Sequence, residues 1–177
     1  MAANFNENNS KGKNVTLSGK SSILFNGENP DYLNVEPYFY TYSFPRLDAI
    51  DFKFTREKGK VYINRVSLED AVPVSIPTDF TTINKEGTTT FTWEGVALGK
   101  EEKLQVLVES DSIGTAYFYV DQEGATSIDI NFDTVVATGS ALFSVSRTKV
   151  LPLQQSEGVA GGEIQEVYTV SKEIRIE

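Results

Sequence analysis

The sequence predicts an all-β protein: an antiparallel β-sandwich, immunoglobulin-like or jelly-roll-like, with an extended N-terminal arm. Three observations carry that expectation. Apolar and polar residues alternate with a period of two along most of the chain from residue 15 onward. Turn-forming breaks recur at short intervals between the alternating stretches. The chain also holds eleven Phe and eight Tyr among many Val, Ile and Thr, residues that suit a pleated, half-buried surface.

Residues 1–14 are polar and Asn-rich, with Phe5 among their few apolar side chains, and are expected to form an arm outside the core. They contain no apolar h-region of the kind a signal peptide needs. The segment GKNVTLSGKSSILFNG follows, and its Gly19-Lys20-Ser21 matches the end of a phosphate-binding loop. That loop needs an earlier glycine where Asn14 stands, and a helix where SSILF reads as a strand. Gly19-Lys20 is therefore expected to be a turn between two strands.

In AIDFKFTR, Ile50, Phe52 and Phe54 fall on one face while Asp51, Lys53 and Thr55 fall on the other. Arg56-Glu57-Lys58-Gly59 then predicts a hairpin into VYINRVSL. KLQVLVES places Leu104, Val106 and Val108 inward, and TSIDINFD does the same with Ile128, Ile130 and Phe132. PYFYTYSF (37–44) and TAYFYV (115–120) are apolar or aromatic on both faces and predict central strands or a second covered surface. Lys85-Glu86-Gly87 and Asp121-Gln122-Glu123-Gly124 read as further hairpin breaks. Helical character is confined to 67–72 and 95–103, each too short for a helical layer. The last pattern, EIQEVYTVSKEIRIE, is expected to be paired to its end through Ile174 and Ile176. Residues 15–177 are expected to make a single domain, a size at which one core is usual, in preference to two small sandwiches dividing near Pro77.

Composition narrows the chemistry. With no cysteine and no histidine, the usual ligand sets for zinc, copper, haem and iron–sulfur centres are missing. Ser-His-Asp and Cys-His catalysis are excluded for the same reason. The formal charge of −9, from 25 acidic against 16 basic residues, argues against binding nucleic acid or an anionic membrane. No apolar run is long enough for a spanning helix.

Four weaker patterns each have a plain structural explanation beside a functional one. Asp129, Asn131 and Asp133 copy the first ligands of a calcium loop, but Thr134 and Ser140 stand where glycine and glutamate belong. An exposed strand face explains them better. Carboxylate pairs such as Glu69-Asp70 or Glu101-Glu102 suit a glycosidase only if they face each other across a cleft. Trp93, with Tyr38, Tyr40, Tyr42, Tyr117 and Tyr119, offers material for a sugar-stacking platform, although alternating aromatics are more often core or cross-strand pairs. Finally, LPLQQSEGVAGG (151–162) is longer than hairpin loops usually are, and long loops on rigid sheets often carry function.

The resulting expectation is a non-enzymatic structural or assembly protein without cofactor or metal. A virion component fits best, as a bacteriophage capsid decoration, collar or tail protein. It would be oligomeric, touching neighbouring subunits through the arm at Phe5 and the long loop at Leu151, Leu153 and Val159. The alternative is a bacterial cell-surface immunoglobulin-like module that binds carbohydrate or a protein ligand.

Overall fold

The computed structural model describes residues 2–3, 5–6, 13–34, 39–41, 43, 47–111, 113–132, 137–156 and 163–177. They form fifteen strands and one 3-10 turn, Leu68–Asp70, with no α-helix among the described residues. The 67–72 pattern thus yields a single short turn, and 95–103 yields a loop leading into a strand. The chain condenses into two compact units, one of residues 1–70 and 151–164, the other of 71–150 and 165–177.

The first unit contains β1 (Ala2–Ala3), β2 (Phe5–Asn6), β3 (Asn14–Val15), β4 (Ser22–Phe25), β5 (Asp31–Leu33), β6 (Phe39–Thr41), β7 (Ala49–Thr55) and β8 (Val61–Ser67). These pair as three antiparallel sheets, ordered β1-β6-β5, β2-β3 and β4-β7-β8. Part of the expected arm is therefore paired: Ala2 stands opposite Thr41, and Phe5 opposite Val15. Ser18–Ser21 closes the expected turn, with the Ser21 N–H donating to the Ser18 carbonyl at 3.1 Å. The β7–β8 hairpin also forms as expected, through Gly59 at φ 79°. There the Gly59 N–H donates to the Arg56 carbonyl at 2.8 Å. Alternation on β8 buries Tyr62, Asn64 and Val66 and exposes Val61, Ile63 and Arg65. Aromatic edges fill the interior, with Phe25 against Phe52 at 5.4 Å and Phe54 stacked on Tyr62 at 6.1 Å.

The second unit holds β9 (Thr82–Ile83), β10 (Thr89–Thr92), β11 (Glu102–Ser110), β12 (Gly114–Val120), β13 (Ser127–Ile130) and most of β14 (Gly139–Pro152) and β15 (Glu163–Ile176). One sheet runs β12-β11-β14-β15-β9 and a second pairs β10 with β13. Pairing is antiparallel except at β15–β9, where Ile176 lies beside Ile83 in a parallel bridge. Both sheets face one core. Leu104, Val106 and Val108 of β11, Phe143 and Val145 of β14, Phe91 of β10 and Ile130 of β13 are buried together. Phe80, Phe91 and Phe143 meet as an aromatic triangle with ring centroids 4.9–5.0 Å apart.

Two predicted hairpins turn out to be crossings. The Lys85–Gly87 break carries the chain from β9 in the larger sheet to β10 in the smaller one, and Asp121–Gly124 carries it from β12 to β13. TAYFYV, expected as a central strand or one with both faces covered, is β12, at the edge of its sheet among the described residues and with Tyr117 and Tyr119 exposed. Turn chemistry marks where the chain reverses but carries no information about which strand receives it.

Candidate functional site

The residues expected to make contacts have been placed as follows. Phe5 is half-buried within the first unit, its ring edge-on to Tyr40 at 5.7 Å and tilted on Phe54 at 5.1 Å. Tyr40 also accepts the Leu17 N–H on its hydroxyl at 2.8 Å, which holds the first strands down. Leu151 and Leu153 are half-buried in the same unit. Val159 lies outside the described residues, as do Tyr38, Tyr42 and Asp133.

Among the described residues the most exposed aromatic surface lies elsewhere, on the outer face of the five-stranded sheet. Because Leu104, Val106 and Val108 point into the core, Gln105 and Leu107 must point out. On β12 the same period turns Ala116, Phe118 and Val120 inward and leaves Tyr117 55% and Tyr119 64% exposed. Register places Tyr117 opposite Leu107 and Tyr119 opposite Gln105. Beyond them stand Ser144 and Ser146 on β14. Those hydroxyls are already matched, Ser144 with Ser171 at 2.8 Å and Ser146 with Thr169 at 2.9 Å. The two tyrosine rings are parallel within 8°, with centroids 6.4 Å apart. A shallow hollow of about 250 Å³ lies beside them, walled by Ile113, Thr115, Asn131 and Phe132.

A second feature is a buried ion pair. Following Ala141, Phe143 and Val145 inward along β14, the next inward position is Arg147, the largest fully buried side chain among the described residues. Its guanidinium donates to the Val96 carbonyl at 2.7 Å, to the Ala97 carbonyl at 2.9 Å, and to the Glu102 carboxylate. Glu102 also accepts the Gly99 N–H at 2.7 Å, and Trp93 donates its indole N–H to Val96 at 3.3 Å. Gly95, at φ 138°, sits where a Cβ would lie 3.1 Å from the Pro73 carbonyl, so the loop's entry requires glycine. Burial alone would raise the Glu102 carboxyl. The Arg147 hydrogen bond, the Gly99 N–H and the charges of Arg147 and Lys149 outweigh it and hold the group below the ordinary carboxylate range. Chemically this is a clamp on the 93–102 loop: every polar neighbour is structural, and Trp93 is buried in the core rather than set on a surface platform.

The sequence offers Tyr117 and Tyr119 only as members of an aromatic platform around Trp93, less favoured than core or cross-strand pairing, and gives no expectation of the Arg147–Glu102 pair. Arg147 left a readable signal, the first charge at the inward parity of SALFSVSRTKV, directly after Ala141, Phe143 and Val145. Among the described residues no group of three acidic side chains is placed to hold a metal ion, and Asp129 accepts a hydrogen bond from Thr90 at 2.7 Å. No helix of the described residues is long and apolar enough to cross a membrane. Comparison with known protein families, curated proteins and solved structures finds no match to this chain.

Proposed function

We propose that this chain is a non-enzymatic structural protein of a larger assembly, a virion component of the bacteriophage decoration, collar or tail type. In this reading the second unit is a β-sandwich module whose two sheets pack through Phe91 and Phe143, and it meets its neighbours through its outer face. The observation that carries the reading is the exposed Tyr117–Tyr119 pair beside Leu107, on a strand at the edge of its sheet. Apolar aromatic surface of this kind favours burial against a partner, and an edge strand offers backbone groups for strand addition. Partners would be protein subunits, copies of itself or other assembly proteins.

Mass in solution tests it. The wild-type chain should run as a closed oligomer, and replacing both tyrosines (Tyr117→Glu with Tyr119→Glu) should return it to one 19.6 kDa chain. A wild type that stays monomeric at micromolar concentration, alone and with its assembly partners, would sink the proposal. A second reading, a cell-surface module that binds carbohydrate, draws on the parallel tyrosine rings, which suit stacking on a sugar face. Glycan-array binding that survives Tyr117→Ala with Tyr119→Ala would remove it.

A further inference from the structure

The free edge of β8 is closed in an unusual way. β8 is the last strand of the β4-β7-β8 sheet, so the residues pairing with β7 leave the backbone of Ile63 and Arg65 directed away from the sheet. No strand among the described residues pairs there. Instead the two glutamines that follow β14 supply side-chain amides. Gln155 accepts the Ile63 N–H on its Oε1 at 2.8 Å. Gln154 accepts the Arg65 N–H at 2.8 Å and returns its own amide N–H to the Arg65 carbonyl at 3.0 Å. Asn64 completes the set, its side-chain amide exchanging both hydrogen bonds with the Gln155 backbone at 2.9 and 3.1 Å.

A glutamine amide carries the same donor and acceptor as a peptide group. The Gln154–Arg65 pair therefore reproduces the double hydrogen bond by which two residues of neighbouring antiparallel strands face each other. Yet both glutamines are exposed, so the cap competes with water throughout. Exposed side-chain bonds contribute little each, which makes such a cap easier to displace than a backbone ladder.

We propose that β8 is a latent homodimer edge, held shut by Gln154 and Gln155, and that its occupant when the cap is removed is β8 of a second copy. The strand is self-complementary. With Ile63 on a two-fold axis, the outward backbone groups of Ile63 meet their own counterparts, and those of Arg65 meet Val61 of the other copy. Like charges do not face each other, since Arg65 lies opposite Val61 and is paired with Asp51 of its own chain at 3.5 Å. Val61 and Ile63, 40% and 46% exposed, would form a continuous apolar row across the new ladder. The proposal concerns the first unit and does not depend on the Tyr117–Tyr119 surface.

The experiment replaces both caps, Gln154→Gly with Gln155→Gly, in the full chain. Mass by light scattering and amide exchange at Ile63 and Arg65 are then followed over a hundredfold range of concentration. The expected result is a mass twice that of the wild type at equal concentration, with exchange at both amides slowing as concentration rises. Adding Ile63→Pro, which removes an outward N–H without touching the β7 ladder, should restore the wild-type mass. An unchanged mass with fast exchange at every concentration overturns the proposal, as does a doubling that persists with Ile63→Pro. Should the double variant fail to fold, Gln154→Gly alone is read by the same two measurements and the same criteria. Dissociation caused by the Tyr117 and Tyr119 changes would leave this association intact, so the two proposals fail separately.

Discussion

The two units solve the same problem with different materials. In the second, long strands bury Val, Leu, Ile and Phe against one another, and most of its core side chains lie at or near zero exposure. In the first, sheets of two or three short strands bury fewer residues, and aromatic edges and polar side chains do more of the joining. The Tyr40 hydroxyl, the Asn26 side chain, Asn64, Gln154 and Gln155 all bond to backbone there. A core of close-packed aliphatic and aromatic groups contributes stability in proportion to buried area, whereas exposed polar stitches are individually weak. The comparison teaches that the second unit rests on a close-packed apolar core, while the first relies on polar stitches such as the Gln154 and Gln155 bonds to β8.

That contrast can be broken most forcefully at the aromatic triangle. Phe143→Ala removes one ring from contact with both Phe80 and Phe91, and should cost about 3–5 kcal/mol of unfolding free energy. Trp93, the only tryptophan and buried in that core, makes its fluorescence a reporter of the second unit alone during urea unfolding. A loss under about 1 kcal/mol would show that the triangle is not the centre of that core.

The Arg147–Glu102 clamp comes next, read through pH. Because the folded Glu102 carboxyl lies below its ordinary value of 4.5, the unfolded chain takes up the proton first as pH falls. The clamp's contribution is therefore complete above pH about 4.5 and is lost as pH drops through the lowered folded value. Glu102→Gln should flatten this part of the acid-stability profile and lower stability at neutral pH. Removing the acceptor altogether, as Glu102→Ala, leaves Arg147 buried and unpaired, at a cost of about 3 kcal/mol or more. An acid profile identical in wild type and Glu102→Gln would remove the assignment.

The smallest effect is expected at Phe5. Its half-buried ring lies against Tyr40 and Phe54, so Phe5→Ala should cost about 1–2 kcal/mol, confined to the first unit. Tryptophan fluorescence should not register it, while hydrogen exchange in β7 and β8 should rise. A matching shift of the Trp93 signal would show that the units unfold as one.

How much of this could be read from the chain alone differs from strand to strand. KLQVLVES and AIDFKFTR declared themselves because their alternation is unbroken, and so did the inward position of Leu104, Val106 and Val108. TAYFYV misled, since aromatic residues on both faces suit a central strand as well as an edge strand with an exposed tyrosine row. The Asp121–Gly124 break was visible, but its crossing to a second sheet was not, because a turn sequence does not encode its destination. Arg147 was legible only by parity, and its partners, Val96 and Ala97 in a loop and Glu102 at the start of β11, lie 45 to 51 positions earlier in the chain.

By itself, then, the sequence determined the all-β class, the inward faces of the strands and the exclusion of cysteine- and histidine-based chemistry. Those follow from local periodicity and composition, which every conformation of the chain shares. Tertiary structure alone decided which strands became edges, that a glutamine pair closes β8, and that Tyr117 and Tyr119 face outward. These depend on pairing between residues far apart in the chain, 92 positions for Ile63 and Gln155, and no short-range pattern records such a pairing.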